Sequence, residues 1–187
     1  MLKDADMRQV LVEKITQRNA NLNYRIISEM AICDGRARVD IAVANGKLYG
    51  YEIKSDADTL ERLATQRECY DKTFDRIIIT VGEKYENIIE DYISPWWGIY
   101  VVKKTKNGAL LIKTKREARN NPGIDVSSLL ELLWRDEIEE LLRQNGYTGL
   151  SKKNRRLLRK LVIERIPQKE IRDYCRETLK YREGWRD

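Results

Sequence analysis

Apolar residues along this chain follow two spacings, and the change from one to the other divides it. Over residues 4–18, Met7, Val10, Leu11 and Ile15 recur near a 3.6-residue period, which predicts a helix with one buried face. After a polar break over 19–23, residues 25–32 read as a strand and Cys33-Asp-Gly-Arg as a turn. Residues 37–44 alternate, with Val39, Ile41 and Val43 on one side. Asn45-Gly46 is a hairpin signal, and 48–55 is the returning strand. The polar stretch 56–73 reads as helix. Ile77-Ile-Ile-Thr-Val, inside a strand over 76–82, is apolar on both faces and suits the buried middle of a sheet. A helix is expected over 83–93, ended by Pro95. A second hairpin joins 98–104 to 109–115 through Asn107-Gly108.

Beyond Pro122-Gly123 the period is helical throughout. One amphipathic helix is expected over 126–144, with Leu129, Leu130, Leu133, Ile138 and Leu141 on its apolar side. A second runs over 151–165 with Ser151 as its N-cap, and a third over 168–182 after Pro167. The pattern predicts an α/β core with a mixed sheet over 1–120, followed by an α-helical extension over 121–187.

At 187 residues the chain suits one domain of ordinary size with a small appendage. Apolar residues at 42% support a packed core, and the 35% that are charged are interspersed in sign, which argues against disorder. No apolar run approaches the roughly 18 residues of a membrane span, and Met1-Leu-Lys-Asp-Ala-Asp lacks the apolar core of a signal peptide. Cys33, Cys69 and Cys175 lie far apart in no metal-ligand spacing, so a reducing, cytoplasmic setting without zinc is expected. The chain has 0 histidines. That removes Ser-His-Asp and Cys-His triads and imidazole metal sites, and leaves carboxylates, lysines, tyrosines and a bound metal to do any chemistry.

The net charge of +6 is unevenly placed: 23 Lys and Arg face 24 Asp and Glu up to Asn145, and 13 face 6 from Gly146 on. The segment Ser151–Lys160 alone holds six basic residues, among them Lys152, Lys153, Arg155 and Arg156, with Leu157, Leu158, Leu161 and Val162 expected on the buried side of their helix. This asymmetry predicts a polyanion contact of the salt-dependent, sequence-independent kind. A solvated helical face gives the same signal.

Candidate chemistry lies in Arg38-Val-Asp40-Ile-Ala-Val-Ala-Asn-Gly-Lys-Leu-Tyr-Gly-Tyr-Glu52-Ile-Lys54. Charges inside apolar strands are disfavoured unless exposed or used. Glu52 and Lys54, two apart, share a face, and the hairpin brings Asp40 alongside. Two carboxylates on adjacent strands can hold Mg²⁺, a hard cation that prefers oxygen, with the Ile53 carbonyl as a further donor. Lys54 can orient a water and counter negative charge on a phosphate. An ion pair on a solvent-facing strand would show the same Glu-x-Lys, but Asp, a hairpin and Glu-x-Lys ending a strand before a helix is more specific.

That pattern resembles the PD-(D/E)XK superfamily of restriction-endonuclease-like nucleases, with Val39 where the name has proline. The wider string Gly-Arg-Ala-Arg-Val-Asp-Ile-Ala-Val…Gly-Tyr-Glu-Ile-Lys-Ser-Asp…Asp-Thr-Leu-Glu-Arg-Leu, together with Pro95-Trp-Trp-Gly, is similar to a family of bacterial and phage proteins placed in that superfamily. The resemblance implies a restriction-endonuclease-like core, metal-dependent phosphodiester cleavage, Mg²⁺ with Mn²⁺ as a substitute, and DNA as the expected partner. Gln66 and Tyr70, i and i+4 on a helix, are similar to the Gln-x-x-x-Tyr of RecB-type and phage exonucleases, where the helix helps to hold DNA near the metal; Tyr70 equally suits a core aromatic. Superfamily members often carry a further acid upstream. Glu29, in an apolar stretch beside the Asp40 strand, is favoured over Glu13 on the polar side of the first helix, although pairing with Arg36 or Arg38 would also account for Glu29. Trp96 and Trp97 could stack on bases but are expected in the core. Three functions are weighed, a metal-dependent DNA nuclease, a catalytically silent nucleic-acid-binding module of the same fold and a protein-interaction scaffold, and the intact Asp40, Glu52 and Lys54 set favours the first.

Parity sets a condition on this site. A plain two-residue turn at Asn45-Gly46 would put Asp40 opposite Tyr51 and leave Glu52 on the other face. The chemistry thus demands an irregularity at Gly46 or Gly50: either a three-residue loop, which sets Asp40 against Gly50, or a bulge.

Overall fold

The computed structural model describes residues 2–185. In chain order it forms α1 (Asp4–Arg18), β1 (Arg25–Ile32), β2 (Ala37–Ala44), β3 (Leu48–Lys54), α2 (Leu63–Thr73), β4 (Arg76–Gly82), β5 (Gly98–Lys104), β6 (Leu110–Arg116), α3 (Val126–Glu131), α4 (Arg135–Gln144), α5 (Arg155–Arg165) and α6 (Gln168–Tyr181). The strands make one mixed sheet in sequence order, β1 to β6. The pairs β3–β4 and β4–β5 are parallel and the others antiparallel. The parallel joints follow from the connections, since a parallel neighbour needs a crossover: α2 supplies one, and the irregular segment 83–97 the other.

Both faces of the sheet are covered. α1 lays Met7, Leu11 and Ile15 on the face made by Ile41, Val43, Tyr51, Ile53, Ile78 and Tyr100. α2 and the four later helices cover the other face, where Ala42, Leu48, Ile77 and Val101 meet Leu63, Tyr70, Leu130, Leu158, Ile171 and Leu179 in one continuous cluster. β4 is buried from both sides, as its unbroken apolar run requires. The helices beyond residue 121 therefore share a core with the sheet. A nearly buried pair fixes them there: Arg176 on α6 bonds both oxygens of Asp75 at 2.6 and 3.0 Å, and Asp75 also accepts the N–H of Leu48 at 2.7 Å.

Four local expectations are corrected. The helix over 56–73 begins only at Leu63, because the Ser55 N–H and hydroxyl both donate to Asp58, at 2.8 and 2.7 Å, and close a turn. Residues 83–93 form two short 3₁₀ turns instead of a helix; Tyr85 and Ile89 are still buried, and the Tyr85 hydroxyl is tied to the Asp58 carbonyl. The single helix over 126–144 breaks at Leu132–Trp134. There the Trp134 N–H bonds Glu137 at 2.6 Å, and Arg182 reaches across from the end of α6 to the Leu132 carbonyl at 2.8 Å and to Glu137 at 2.6 and 2.7 Å. α5 starts at Arg155, capped by Asn154 at 2.9 Å from the Leu157 N–H, and Leu157 faces outward.

Trp97 is fully buried and Trp96 nearly so, with the Trp97 N–H on Asp71 at 2.7 Å. All three cysteines are buried and free. Among the described residues no helix is long and apolar enough to cross a membrane.

Candidate functional site

The β2–β3 hairpin has the expected irregularity at Gly46 and an even register, but Asp40 does not share a face with Glu52 and Lys54: its carboxylate meets the Ile53 N–H and Arg8 of α1, while theirs meet α2. Its ladder runs Ala44–Leu48, Val43–Tyr49, Ala42–Gly50 and Ile41–Tyr51, closed by a loop at Asn45, Gly46 and Lys47 with Gly46 at φ 98°. The left-handed conformation falls on the one residue of the loop without a Cβ. One step past the last pair, Asp40 stands across from Glu52, nearer than the Gly50 register expected for a three-residue loop. Gly50 itself has no bulge. A Cβ there would lie 2.5 Å from Ile77 Cδ1 and 3.1 Å from the Phe74 ring, so close packing explains the glycine.

A second irregularity was not legible in the sequence. Along β1 and β2 the pairs Ser28–Ile41 and Met30–Val39 flank Glu29 and Asp40, which form no ladder pair. Glu29 has φ 51°. On one side of this point Ala42 and Ala44 face the α2 layer; on the other, Val39 and Ala37 do. Both strands turn over together, and Asp40 sits at the turnover with its carboxylate between the Ile53 N–H and Arg8.

There Asp40 Oδ2 accepts the N–H of Ile53 at 2.6 Å. Asp40 thus bonds the backbone between Glu52 and Lys54, replacing the ladder bond that the turnover removes. Glu52 and Lys54 point to the α2 face, with side chains 3% and 10% exposed, so their charges must be satisfied inside. They are: Lys54 Nζ lies 2.7 Å from Glu52 Oε1. Gln66 donates to the same oxygen at 3.0 Å and accepts from Lys54 at 3.2 Å. Tyr70, fully buried against Phe74 and Trp97, donates its hydroxyl proton to Glu52 Oε2 at 2.5 Å. α2 presents Gln66 and Tyr70 together because they are one helical turn apart.

Burial first, and the charge of Glu52 second, push the Asp40 carboxyl up to about 7, against the opposing pull of the Ile53 N–H and Arg8. Burial and Glu52 also hold the Tyr70 phenol well above its ordinary range, so it stays a proton donor.

The donor set suits a hard cation. Each carboxylate oxygen offers two acceptor directions. Glu52 Oε1 uses both, on Lys54 and Gln66, while Oε2 uses one. Asp40 Oδ2 uses one, and Oδ1 has only a 3.4 Å contact with Arg8. Free acceptor capacity therefore remains on both carboxylates, all of it oxygen, as Mg²⁺ or Mn²⁺ prefers. Among the described residues no group of three or more acidic, cysteine or histidine ligands gathers, so two carboxylates with backbone carbonyls or waters would have to serve.

Glu29 lies beside Asp40 but is held by two arginines, Arg8 at 2.8 Å and Arg38 at 3.1 Å. Arg8, on α1, escaped the sequence reading; the only available signal was the Asp4-x-x-x-Arg8 spacing on a helix. Glu13 is on α1 with Gln9 at 3.3 Å, away from Asp40. Of the basic residues, Lys152 and Arg156 are exposed and Lys153 is half-buried, while Arg155 caps carbonyls of Glu131 and Leu133 at 3.2 and 2.5 Å. None of the four touches Asp40, Glu52 or Lys54. α5, which begins at Arg155 and so leaves Lys152 and Lys153 in the turn before it, is docked beside the β1–β2 turn by Arg159, which bonds both oxygens of Asp34 at 3.0 and 3.1 Å.

The sequence matches the family described as Bacteriophage P4 protein cII over residues 1–185. Protein cII of Enterobacteria phage P4 is 26% identical over 182 residues, covering 97% of this chain and 68% of its own length. Among solved structures, SfsA of Pyrococcus furiosus in complex with Ca²⁺ superposes on 58% of this chain and 60% of that one, with 13% identity and a TM-score of 0.35.

Proposed function

This chain belongs to the bacteriophage P4 protein cII family, and we propose for it, from its own site, a metal-dependent nuclease of the PD-(D/E)XK, restriction-endonuclease-like kind that hydrolyses phosphodiester bonds of DNA. One observation carries the reading. Asp40, from the neighbouring strand, is bonded to the backbone N–H between Glu52 and Lys54, which gathers an acid, an acid and a lysine at one strand end.

Asp40 and Glu52 would hold Mg²⁺ or Mn²⁺, with the Ile53 carbonyl and Glu29 as further oxygens. The cation, when bound, makes a water more acidic and offsets charge on the phosphate. Lys54 Nζ places a positive charge beside the same phosphate oxygens. Gln66 and Tyr70 fix the Glu52 carboxylate by donating one hydrogen bond to each of its oxygens. Lys152, Lys153 and Arg156 add backbone contacts at a distance, while Arg155 serves mainly the fold.

A second reading has its own support. Glu52 and Lys54 neutralise each other while nearly buried, which is also what a silent nuclease-fold module that binds nucleic acid would show. The test is cleavage of linear, circular, single-stranded and branched DNA with Mg²⁺ or Mn²⁺, by wild type and by Asp40→Asn and Glu52→Gln. Isosteric amides are chosen because removing one member of a buried pair leaves an uncompensated charge. Cleavage that both variants abolish supports the nuclease. Cleavage at wild-type rate in Glu52→Gln overturns the site. DNA binding without cleavage selects the silent module.

A further inference from the structure

α1 crosses the sheet so that Arg8 lies over the turnover of β1 and β2. Its Nη2 is 2.8 Å from Glu29 Oε1 and 3.4 Å from Asp40 Oδ1, its Nη1 donates to the Asp40 carbonyl at 3.1 Å, and its Nε is 3.4 Å from Asp4. One guanidinium thus touches both carboxylates that leave the ladder, and it pins the backbone of one of them. It faces Asp40 Oδ1, the oxygen that the Ile53 N–H leaves free.

We propose that Arg8 is the built-in counter-ion of this site, holding Asp40 in place while no cation is bound and competing with a divalent cation for the Asp40 carboxylate. The inference rests on the reading of Asp40 and Glu52 as cation ligands. A divalent ion on Asp40 Oδ1 would lie within a few ångströms of the guanidinium and be repelled by it in a site only partly open to screening. The contacts are graded to let Arg8 yield. Its carboxylate bond to Glu29 is short and that to Asp40 long, so it can leave Asp40 Oδ1 and keep Glu29 and Asp4. Loss of Arg8 would free Glu29 Oε1, while Oε2 stays with Arg38.

The experiment is calorimetric titration of Ca²⁺ and Mn²⁺ into metal-free wild type, Arg8→Gln, Arg8→Met and Arg8→Lys, each with and without Asp40→Asn. Both neutral variants are expected to bind roughly tenfold tighter than wild type, the effect of removing one nearby positive charge. Arg8→Lys keeps the charge and is expected to stay close to wild type. Asp40→Asn should abolish the binding in every background. Without metal the neutral variants should melt below wild type, and saturating Ca²⁺ should close that gap. Equal or weaker affinity in the neutral variants, with binding still sensitive to Asp40→Asn, overturns the role of Arg8 and leaves the cation site standing. No Asp40-dependent binding in any variant overturns the cation site and this inference with it.

Discussion

The Asp40 carboxylate accepts the backbone N–H of Ile53 at 2.6 Å, so the second strand of the hairpin is held by a side chain where its ladder stops. That contact puts the titration of Asp40 in control of the site. Its carboxyl is pushed up to about 7 by burial and by Glu52, above the value near 3.9 of an unfolded aspartate. A raised folded value contributes stability that is complete below the unfolded value and lost as pH rises through about 7. The metal-free protein should therefore lose stability between about pH 4 and pH 7, and Asp40→Asn should flatten that slope in denaturant melts. Cation binding runs the other way: Ca²⁺ affinity should be higher at pH 8 than at pH 6 with proton release on binding, read by calorimetry in two buffers of different ionisation enthalpy.

Tyr70→Phe keeps the ring that packs on Phe74 and Trp97 and removes the proton given to Glu52. Glu52 is buried, so the loss should cost about 1.5–3 kcal/mol of unfolding free energy, the range for a hydrogen bond to a charged group. Urea unfolding measures it. A change near zero would mean that Glu52 Oε2 tolerates the loss of its donor while Lys54 and Gln66 hold Oε1.

Gly50→Ala should destabilise the chain by about 1–3 kcal/mol, the usual effect of an extra methyl in a filled core. The added Cβ would stand 2.5 Å from the tip of Ile77 and 3.1 Å from the Phe74 ring, and the ring cannot swing as a flexible end would. Phe74→Leu in the Gly50→Ala background should recover part of the loss in a thermal melt.

Deleting residues 147–187 should unfold the chain rather than merely weaken a polyanion contact, because Leu158, Val162, Ile171, Cys175 and Leu179 belong to the same cluster as the sheet. Circular dichroism decides this directly. The electrostatic question instead needs Lys152→Gln, Lys153→Gln and Arg156→Gln in the full chain. If each contacts a phosphate, the logarithmic salt slope for duplex DNA should flatten by about 0.9 per residue removed. An unaltered slope would assign these side chains to solvation.

The sequence by itself determined the strands and the hairpin that brings Asp40 beside Glu52 and Lys54, because a two-residue alternation and a glycine turn are local properties of the backbone. Parity even required an irregular hairpin, and Gly46 supplies it. Only the tertiary structure decided the rest. The turnover at Glu29 and Asp40 depends on two strands giving up the same pair together, and Arg8 reaches it from a helix more than 20 residues away in sequence from either acid. The break at Leu132–Trp134 is stabilised by Arg182, from the far end of the chain. Local periodicity carries no information about such contacts, because the partner that satisfies a buried charge or a free carbonyl is chosen by packing and not by spacing along the chain.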